Sequence, residues 1–315
     1  MHSAATISRE TTQSAGSLRR RLHACALDRA CRLGLRHELT TGRCPGVIFA
    51  HDEYRGHGNF HPASYRAILE HPDWARRLGK AHTGSKRALP RADWRWRELD
   101  SASSSDALLM NIFCHPGTLR DSRVTALLGL GREAEPRFGV RVGVPLANGR
   151  PDTTEVDMEL GSLLIEAKLT ESNFQTARPA LMLRYRDLGE VFAVDELPRT
   201  RTVTVDQRWD EEQAAMVCVE RGSKHGFAGY QLIRNALAAH ATGKAFCVLV
   251  DARRADLVEA WHRVQRAVLR ADLRCRLQLL TWQELTTALP GDLQRFLSEK
   301  YGIVAAQGVS LHTPA

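Results

Sequence analysis

The sequence predicts an α/β fold: a mixed β-sheet core flanked by helices, preceded by a mostly helical N-terminal extension. Three observations carry that expectation. Helical and strand patterns alternate as α-β-β-β-α-β-α-β-α from Ser103 onward, the order of a mixed sheet with helices on both faces. Two runs with period-two alternation, 153–160 and 163–169, are separated by Gly161-Ser162 alone, which reads as a tight hairpin. Hydrophobic residues make up 43% of the 315 and charged residues 25%, enough apolar surface for a sizeable core under a solvated exterior. The length admits one large domain or two. We divide it into a flexible tail (1–16), a basic N-terminal region (17–100), the α/β core (101–302) and a C-terminal tail (303–315).

Residues 1–16 are polar and lack the apolar stretch of a secretory leader. Ser17 to Arg36 has helical content and carries Arg19, Arg20, Arg21, Arg29, Arg32 and Arg36. It is either a nucleic-acid-contacting arm or the solvated face of an amphipathic helix. Thr40 to Asn59 is glycine-rich and reads as loop, with a short apolar stretch at Val47-Ile48-Phe49-Ala50. His51, His57 and His61 lie near Asp52 and Glu53, but their spacing matches no zinc pattern. His61-Pro62-Ala63-Ser64-Tyr65 reads as a helix entry instead, with Tyr65, Ile68 and Leu69 as apolar positions. Arg76 to Arg97 interleaves basic and aromatic residues and ends Trp94-Arg95-Trp96-Arg97. Arginine beside tryptophan can contact phosphate and stack on bases. Arg95 and Arg97 are therefore candidate nucleic-acid-binding residues, although the same alternation also suits a strand edge.

Ser103-Ser104-Ser105-Asp106 supplies capping residues ahead of the apolar run Ala107 to Phe113, and His115-Pro116-Gly117 stops that helix. Phe138 to Pro145 alternates as the first core strand until its proline. The hairpin contributes the next two strands. Ser172 to Leu183 has helical content interrupted by Pro179, and Arg184 to Glu212 is polar and irregular enough to predict a long functional loop. Gly229 to His240 reads as a helix, with Tyr230, Ile233 and Leu237 on one side and Gln231 and Asn235 together on another. Those amides either hold a catalytic strand, contact substrate or form a polar surface pair. Gly243 ends this helix. Ala245 to Val250 follows as a buried-type strand, then an arginine-rich helix from Asp256 to Arg270 and a further strand from Arg276 to Leu280. Thr281-Trp282-Gln283-Glu284 is a capping box opening the last helix, and the tail from Ile303 is expected to fray.

The hairpin is where chemistry concentrates. Glycine at the first position of a two-residue loop favours a type II′ turn. That loop sets Asp157 opposite Glu166 and Glu155 opposite Lys168, and Glu166 and Lys168, two apart, share one face. Opposed carboxylates on one face have Cβ atoms roughly 4.5–5.5 Å apart and repel. A hard divalent cation between them turns that repulsion into coordination; Mg²⁺ takes one or two carboxylates with water and substrate phosphate, and Mn²⁺ is the alternative ion. The neighbouring lysine could orient or deprotonate a metal-bound water, so the set suits metal-assisted phosphodiester hydrolysis. The plain alternative is an amphipathic hairpin with Glu155 and Lys168 as a cross-strand ion pair and Asp157 and Glu166 in water. Leu163-Leu164-Ile165 is more apolar than a solvated edge needs.

Asp157 followed by Glu166-Ala167-Lys168 resembles the PD-(D/E)XK nuclease signature of many restriction endonucleases and phage exonucleases. Pro151-Asp152 lies too early to supply the motif's aspartate, so that role falls on Asp157. Three segments together resemble a little-characterised bacterial branch of restriction-endonuclease-like proteins. They are the serine-rich helix from Ser104 to Phe113, the Glu-Ala-Lys-Leu-Thr-Glu run from Glu166 to Glu171, and Tyr230-Gln231 with Asn235 on a downstream helix. The resemblance spans residues 60–290 or thereabouts. It implies a restriction-endonuclease-like core and a Mg²⁺-dependent nuclease. Asp157, Glu166 and the Ala167 carbonyl would hold the metal, Lys168 would position or activate the attacking water, and Gln231 would join the catalytic set. In this superfamily a further acidic ligand often comes from an early helix; Glu98 and Asp106 are both candidates here.

A net charge of +8 and a pI of about 9.4 favour a polyanionic partner, since lysine and arginine neutralise phosphates and release counterions. DNA is the expected partner, cut by an endonuclease acting as a homodimer or in a larger nuclease assembly. The rival is a nucleic-acid-binding protein or assembly subunit that keeps the fold without cleaving. Seven widely spread cysteines with no C-x-x-C pair read as reduced thiols of a cytoplasmic protein. No apolar run approaches the roughly 18 residues of a membrane span, so no membrane partner is expected.

Overall fold

The computed structural model describes residues 12–40, 45–50, 56–81, 97–131, 134–210 and 215–306. Helix α1 (Ala15–Leu33) begins where the Ser14 hydroxyl accepts the Ser17 N–H and ends at Gly34, whose left-handed backbone returns its N–H to the last turn. Strands β1 (His37–Leu39) and β2 (Val47–Phe49) pair antiparallel, so the apolar stretch expected inside a loop is a strand. Helices α2 (Pro62–Glu70) and α3 (Pro72–Arg77) each open with proline in the first turn and a histidine cap, His61 and His71. Helix α4 (Ser105–Phe113) is capped by Ser104, as its sequence predicts, and α5 (Ser122–Leu127) follows.

The first core strand, β3 (Pro136–Arg141), stops four residues short of the expected Pro145. Val142 leaves the ladder because its carbonyl accepts the Arg234 guanidinium at 2.6 Å. Val144–Pro145 (β4) pairs instead with Pro151–Asp152 (β5) in a separate ribbon. The hairpin strands are β6 (Glu155–Leu160) and β7 (Leu163–Ala167).

The stretch expected to be helix and then loop differs most. It holds β8 (Thr176–Ala177), a short α6 (Pro179–Met182) with Pro179 in its first turn, α7 (Leu188–Val191) and β9 (Arg199–Asp210). β9 and β10 (Ala215–Ala228) form a long antiparallel ribbon with β8 on its other edge. β9 alternates Thr200, Thr202 and Thr204 with Val203 and Val205, a strand pattern that its charged residues obscure, and it pairs with β10 along its length.

Helix α8 (Tyr230–Thr242), β11 (Ala245–Val250), α9 (Ala255–Arg266), a short α10 (Ala271–Arg274) and β12 (Leu277–Thr281) follow closely the sequence expectation. The capping box at Thr281 and Glu284 forms in full. The helix it opens is brief, α11 (Trp282–Thr286), and the chain turns before α12 (Gly291–Tyr301) because Pro290 cannot continue it.

The central sheet has the order β12-β11-β7-β6-β3. β11 runs parallel to β7 and β12, while β6 is antiparallel to both neighbours, so the sheet is mixed. One face buries Leu164, Phe246 and Val248 against Ile233, Leu237 and Trp261 of α8 and α9. The other buries Met158, Ile165 and Leu249 against α4 and against α11 and α12. Leu18 and Leu22 of α1 sit in that second cluster, and Tyr65 and Ile68 of α2 pack on Ala107 and Met110 of α4. The basic N-terminal region is thus built onto the core. Each such fully buried leucine or isoleucine contributes roughly 1.5–3 kcal/mol relative to exposure. The expected fraying from Ile303 does not begin there: Ile303 is buried, its N–H bonds to Leu297, and Ala306 bonds to Gln283. Among the described residues no helix is long and apolar enough to cross a membrane.

Candidate active site

The hairpin register is Met158 with Ile165, Glu159 with Leu164 and Leu160 with Leu163. Gly161 has φ +58 while Ser162 stays at negative φ, the pattern of a type II′ turn. At the next position the Asp157 carboxylate takes over from the ladder, accepting the Ala167 N–H at 2.8 Å. Continuing the register, Asp157 stands opposite Glu166.

Glu166 is 1% exposed, and both its oxygens are engaged. One accepts the Lys168 ammonium and the other accepts the Asn235 amide of α8 at 2.8 Å. Lys168 is itself buried, with its N–H on the Leu249 carbonyl at 2.8 Å and its carbonyl on the Trp282 indole at 3.0 Å. The turn after it is pinned too: Arg254 reaches the Leu169 carbonyl, Arg19 of α1 reaches the Thr170 carbonyl, and Glu171 ties Leu169 N–H to Ser105 of α4.

Electrostatics follow from this packing. Burial, then repulsion from Glu166, pushes the Asp157 carboxyl well above the usual carboxylate range; Lys168 opposes and Asp106 adds to the rise. Burial works against the Lys168 ammonium, but Glu166, Asp157 and Glu171 together outweigh it and hold its pKa above the usual lysine value. Lys168 therefore sits here as a charged donor.

Of the two early acids, Asp106 is the one brought beside Asp157. It lies in the first turn of α4, 4% exposed, and accepts Arg77 at 2.9 Å and Lys80 at 2.7 Å. Burial alone would raise its pKa, but Lys80 and Arg77 outweigh that and lower it. Arg77 also reaches Glu155 at 2.7 Å, and Lys80 pairs with Glu98 at 3.1 Å. Gly139 of β3 makes room for this. Its φ is +63, and a Cβ there would overlap the Arg77 guanidinium and approach Glu155.

The amides on α8 divide. Asn235 touches Glu166, and Arg234 donates to Asn235 at 3.0 Å. The Gln231 side chain, one turn earlier and partly exposed, has no hydrogen-bond partner among the described residues. Asp152 of the Pro-Asp pair lies on β5, bonded by Tyr185 and Thr154, outside the group around Glu166. Arg95, with His51, Asp52 and Glu53, lies outside the described residues. Arg97 is half-buried near His57 and Tyr65, whose ionisation its charge perturbs.

His57 and His61 go to separate partners, and His61 caps α2 as its sequence predicts. His57 bonds Asp100 at 2.9 Å, whereas His61 lies with His115 and Asp292. Both of those rings accept a backbone N–H on Nδ1, from Ala63 and Gly117, which leaves the proton of the neutral ring on Nε2, facing Asp292 at 3.6 and 3.5 Å.

Sequence reasoning marks Arg77 and Lys80 only as part of a basic stretch and Trp282 only within a capping box; their approach to Asp106 and to the Lys168 carbonyl comes from packing between distant segments. Asn235 stands out beside Gln231 and in the family resemblance, without its bond to Glu166.

A family model described as Restriction Endonuclease associating with ARP matches residues 39–302. No curated protein and no solved structure matches the chain.

Proposed function

The chain belongs to that restriction-endonuclease family, and from this premise we propose that it is a Mg²⁺-dependent nuclease of the PD-(D/E)XK type, hydrolysing phosphodiester bonds of DNA. One observation carries the proposal: Asp157 and Glu166 are opposed on one hairpin with Lys168 bonded to Glu166 in a buried setting. Opposed carboxylates, Glu166 buried and Asp157 half-buried, weaken a fold unless something positive is shared between them.

The donor set fits a hard dication. Asp157, Glu166 and the Ala167 carbonyl offer only oxygen, and Asp106 is the nearby third carboxylate; Mn²⁺ would be accepted by the same set. Each Glu166 oxygen keeps a lone pair beyond the hydrogen bond it accepts. A bound metal supplies a water of lowered pKa and a counter-charge for the phosphoryl oxygens. The rest is done by the chain. Asn235 and Lys168 fix the orientation of Glu166. The Lys168 ammonium orients the nucleophilic water and offsets charge developing on the phosphate. Trp282 and Leu249 hold the Lys168 backbone, so its ammonium is aimed before substrate arrives. Gln231, at the open end of the same helix face, would contact substrate. The free thiols among the described cysteines support a cytoplasmic setting.

The test is plasmid cleavage by purified protein with Mg²⁺, with chelator, and with Glu166→Gln and Lys168→Ala variants. Cleavage that needs Mg²⁺ and is lost in both variants is expected. Cleavage that survives chelation or either substitution would overturn the assignment. The family's description also favours a second reading, a subunit that works in association with ARP, as a homodimer or within a larger assembly. Intact DNA binding without any cleavage would select it.

A further inference from the structure

Beside the acidic site lies a trough of about 730 Å³ that the hydrolysis chemistry leaves unused. Helix α3 and the residues after it form one wall, and the edge strand β3 with the residues before it forms the other. Five cations line it: Arg76, Arg77, Lys80, Arg137 and Arg141. Among the described residues that line it, Asp73 and Glu135 are the acidic ones.

The cations fall into two groups. Arg77 and Lys80 are mostly buried, and their tips rest on Asp106 and Glu155, so the trough opens onto the carboxylates of the candidate active site. Arg137 and Arg141 stand in solvent. Arg137 reaches Glu159 only at 3.5 Å, and Glu159 is already taken by Lys244. Arg141 has no ion-pair partner among the described residues. The floor between them is rigid. The Trp74 ring is stacked on His71 at 4.3 Å, meets Phe138 edge-on, and donates its indole N–H to the Pro136 carbonyl at 2.9 Å.

Elsewhere the arginines are placed differently. Arg29 of α1 is buried under Phe296, and Arg19 serves the Thr170 carbonyl. Arg263 of α9 pairs with Glu259 on an exposed helix that packs on the other sheet face. Among the described residues the trough combines a concave shape, two weakly paired outer arginines, Arg137 and Arg141, and continuity with the acidic site. A concave cationic wall concentrates field and draws a polyanion. An acidic site next to it would otherwise repel one.

We propose that this trough seats the phosphodiester backbone of the strand to be cut, with Arg137 and Arg141 as outer phosphate contacts and Arg77 and Lys80 as inner ones. The identity of the ligand as nucleic acid rests on the nuclease reading; its place on the molecule rests on the trough. The left-handed Gly139 belongs to the same device, since it lets Arg77 pass β3 to reach both the trough and Asp106.

The experiment separates binding from turnover. Glu166→Gln protein is titrated against fluorescein-labelled duplex DNA, and in a second arm duplex RNA, by anisotropy over a salt series without divalent metal. Two double variants remove the same charge: Arg137→Gln with Arg141→Gln in the trough, and Arg263→Gln with Arg266→Gln on α9. All four positions are exposed, and melting curves check that each protein is folded. The trough pair is expected to lose affinity roughly tenfold and to flatten the log–log salt slope by about 1.8, two phosphate contacts' worth, while the α9 pair changes neither. The same dependence in the RNA arm alone would keep the trough and name RNA as the polymer. Equal losses in both pairs, no effect of the trough pair, or no binding at all would overturn the proposal. Wild-type cleavage is measured separately: trough-independent binding with intact cleavage sinks only the trough, and trough-dependent binding without cleavage sinks only the catalytic assignment.

Discussion

Asn235→Ala is the substitution whose consequence is best fixed by the geometry. Asn235 is 2% exposed and makes two bonds to charged groups, donating to Glu166 at 2.8 Å and accepting from Arg234 at 3.0 Å. A hydrogen bond to a charged group contributes about 1.5–3 kcal/mol. The partners are not stranded, because Glu166 keeps Lys168 and Arg234 keeps the Val142 carbonyl. The net loss should therefore sit nearer one full bond than two, about 2–3 kcal/mol. For a chain of 315 residues that is a fall in Tm of roughly 3–5 °C. Calorimetry or circular dichroism reads it directly. Adding Glu166→Ala should make the second substitution cheaper, with a coupling of about 1.5–3 kcal/mol in the double-mutant cycle. In a cleavage assay below the melting range, kcat should fall with KM little changed, as for a group that positions Glu166 without touching substrate. A Tm within about 1 °C of wild type, or strict additivity with Glu166→Ala, would mean the Asn235–Glu166 bond does not exist in solution.

Three further outcomes follow from the same packing. Burial and Glu166 raise the Asp157 pKa, so the folded chain prefers the protonated form and stability is lost as pH climbs from 3.8 towards the folded value. Asp157→Asn should then match or exceed wild-type Tm at pH 8, with the gain closing as pH falls to 3.8; a lower Tm at every pH would make Asp157 a structural acceptor. His57 goes the other way: burial, with Lys300 and Arg97 nearby, lowers its pKa from 6.5 to about 3. The unfolded chain takes that proton first, so stability falls as pH drops through this window, and His57→Gln should make the acid limb of a Tm–pH profile shallower. His23, lowered to about 4 by burial, then by Arg19 and Lys300, leaves a residual slope. Gly139→Ala should cost at least the 1–2 kcal/mol or so of a left-handed non-glycine residue, a Tm drop of about 1.5–3 °C or more, because its Cβ also displaces Arg77; an unchanged Tm would show that β3 can flatten there.

The elements that sequence alone determined are those whose signal is local. A two-residue loop led by glycine leaves one register for its strands, and that register sets Asp157 opposite Glu166. Capping residues at Ser104 and Thr281, and the glycine at 243, mark helix ends because they satisfy backbone groups within a few residues. The mixed sheet follows from the order of those elements. What the tertiary structure decided is everything carried by partners far apart in the chain. The length of β9 is set by its pairing with β10, from Arg199 with Phe227 to Asp210 with Ala215. Val142 ends β3 because Arg234, from a helix ninety-two positions later, claims its carbonyl. Asp106 stands beside Asp157, and Glu98 at one remove, because α4 packs on the sheet while Arg77 and Lys80 bind Asp106 from the N-terminal region. Asn235 holds Glu166 because of where α8 docks against β7; periodicity leaves Gln231 and Asn235 equivalent until it does. Local hydrogen bonds and loop lengths are written in neighbouring residues; the selection of one long-range partner among many of the same chemistry is made only when burial removes water from the losers.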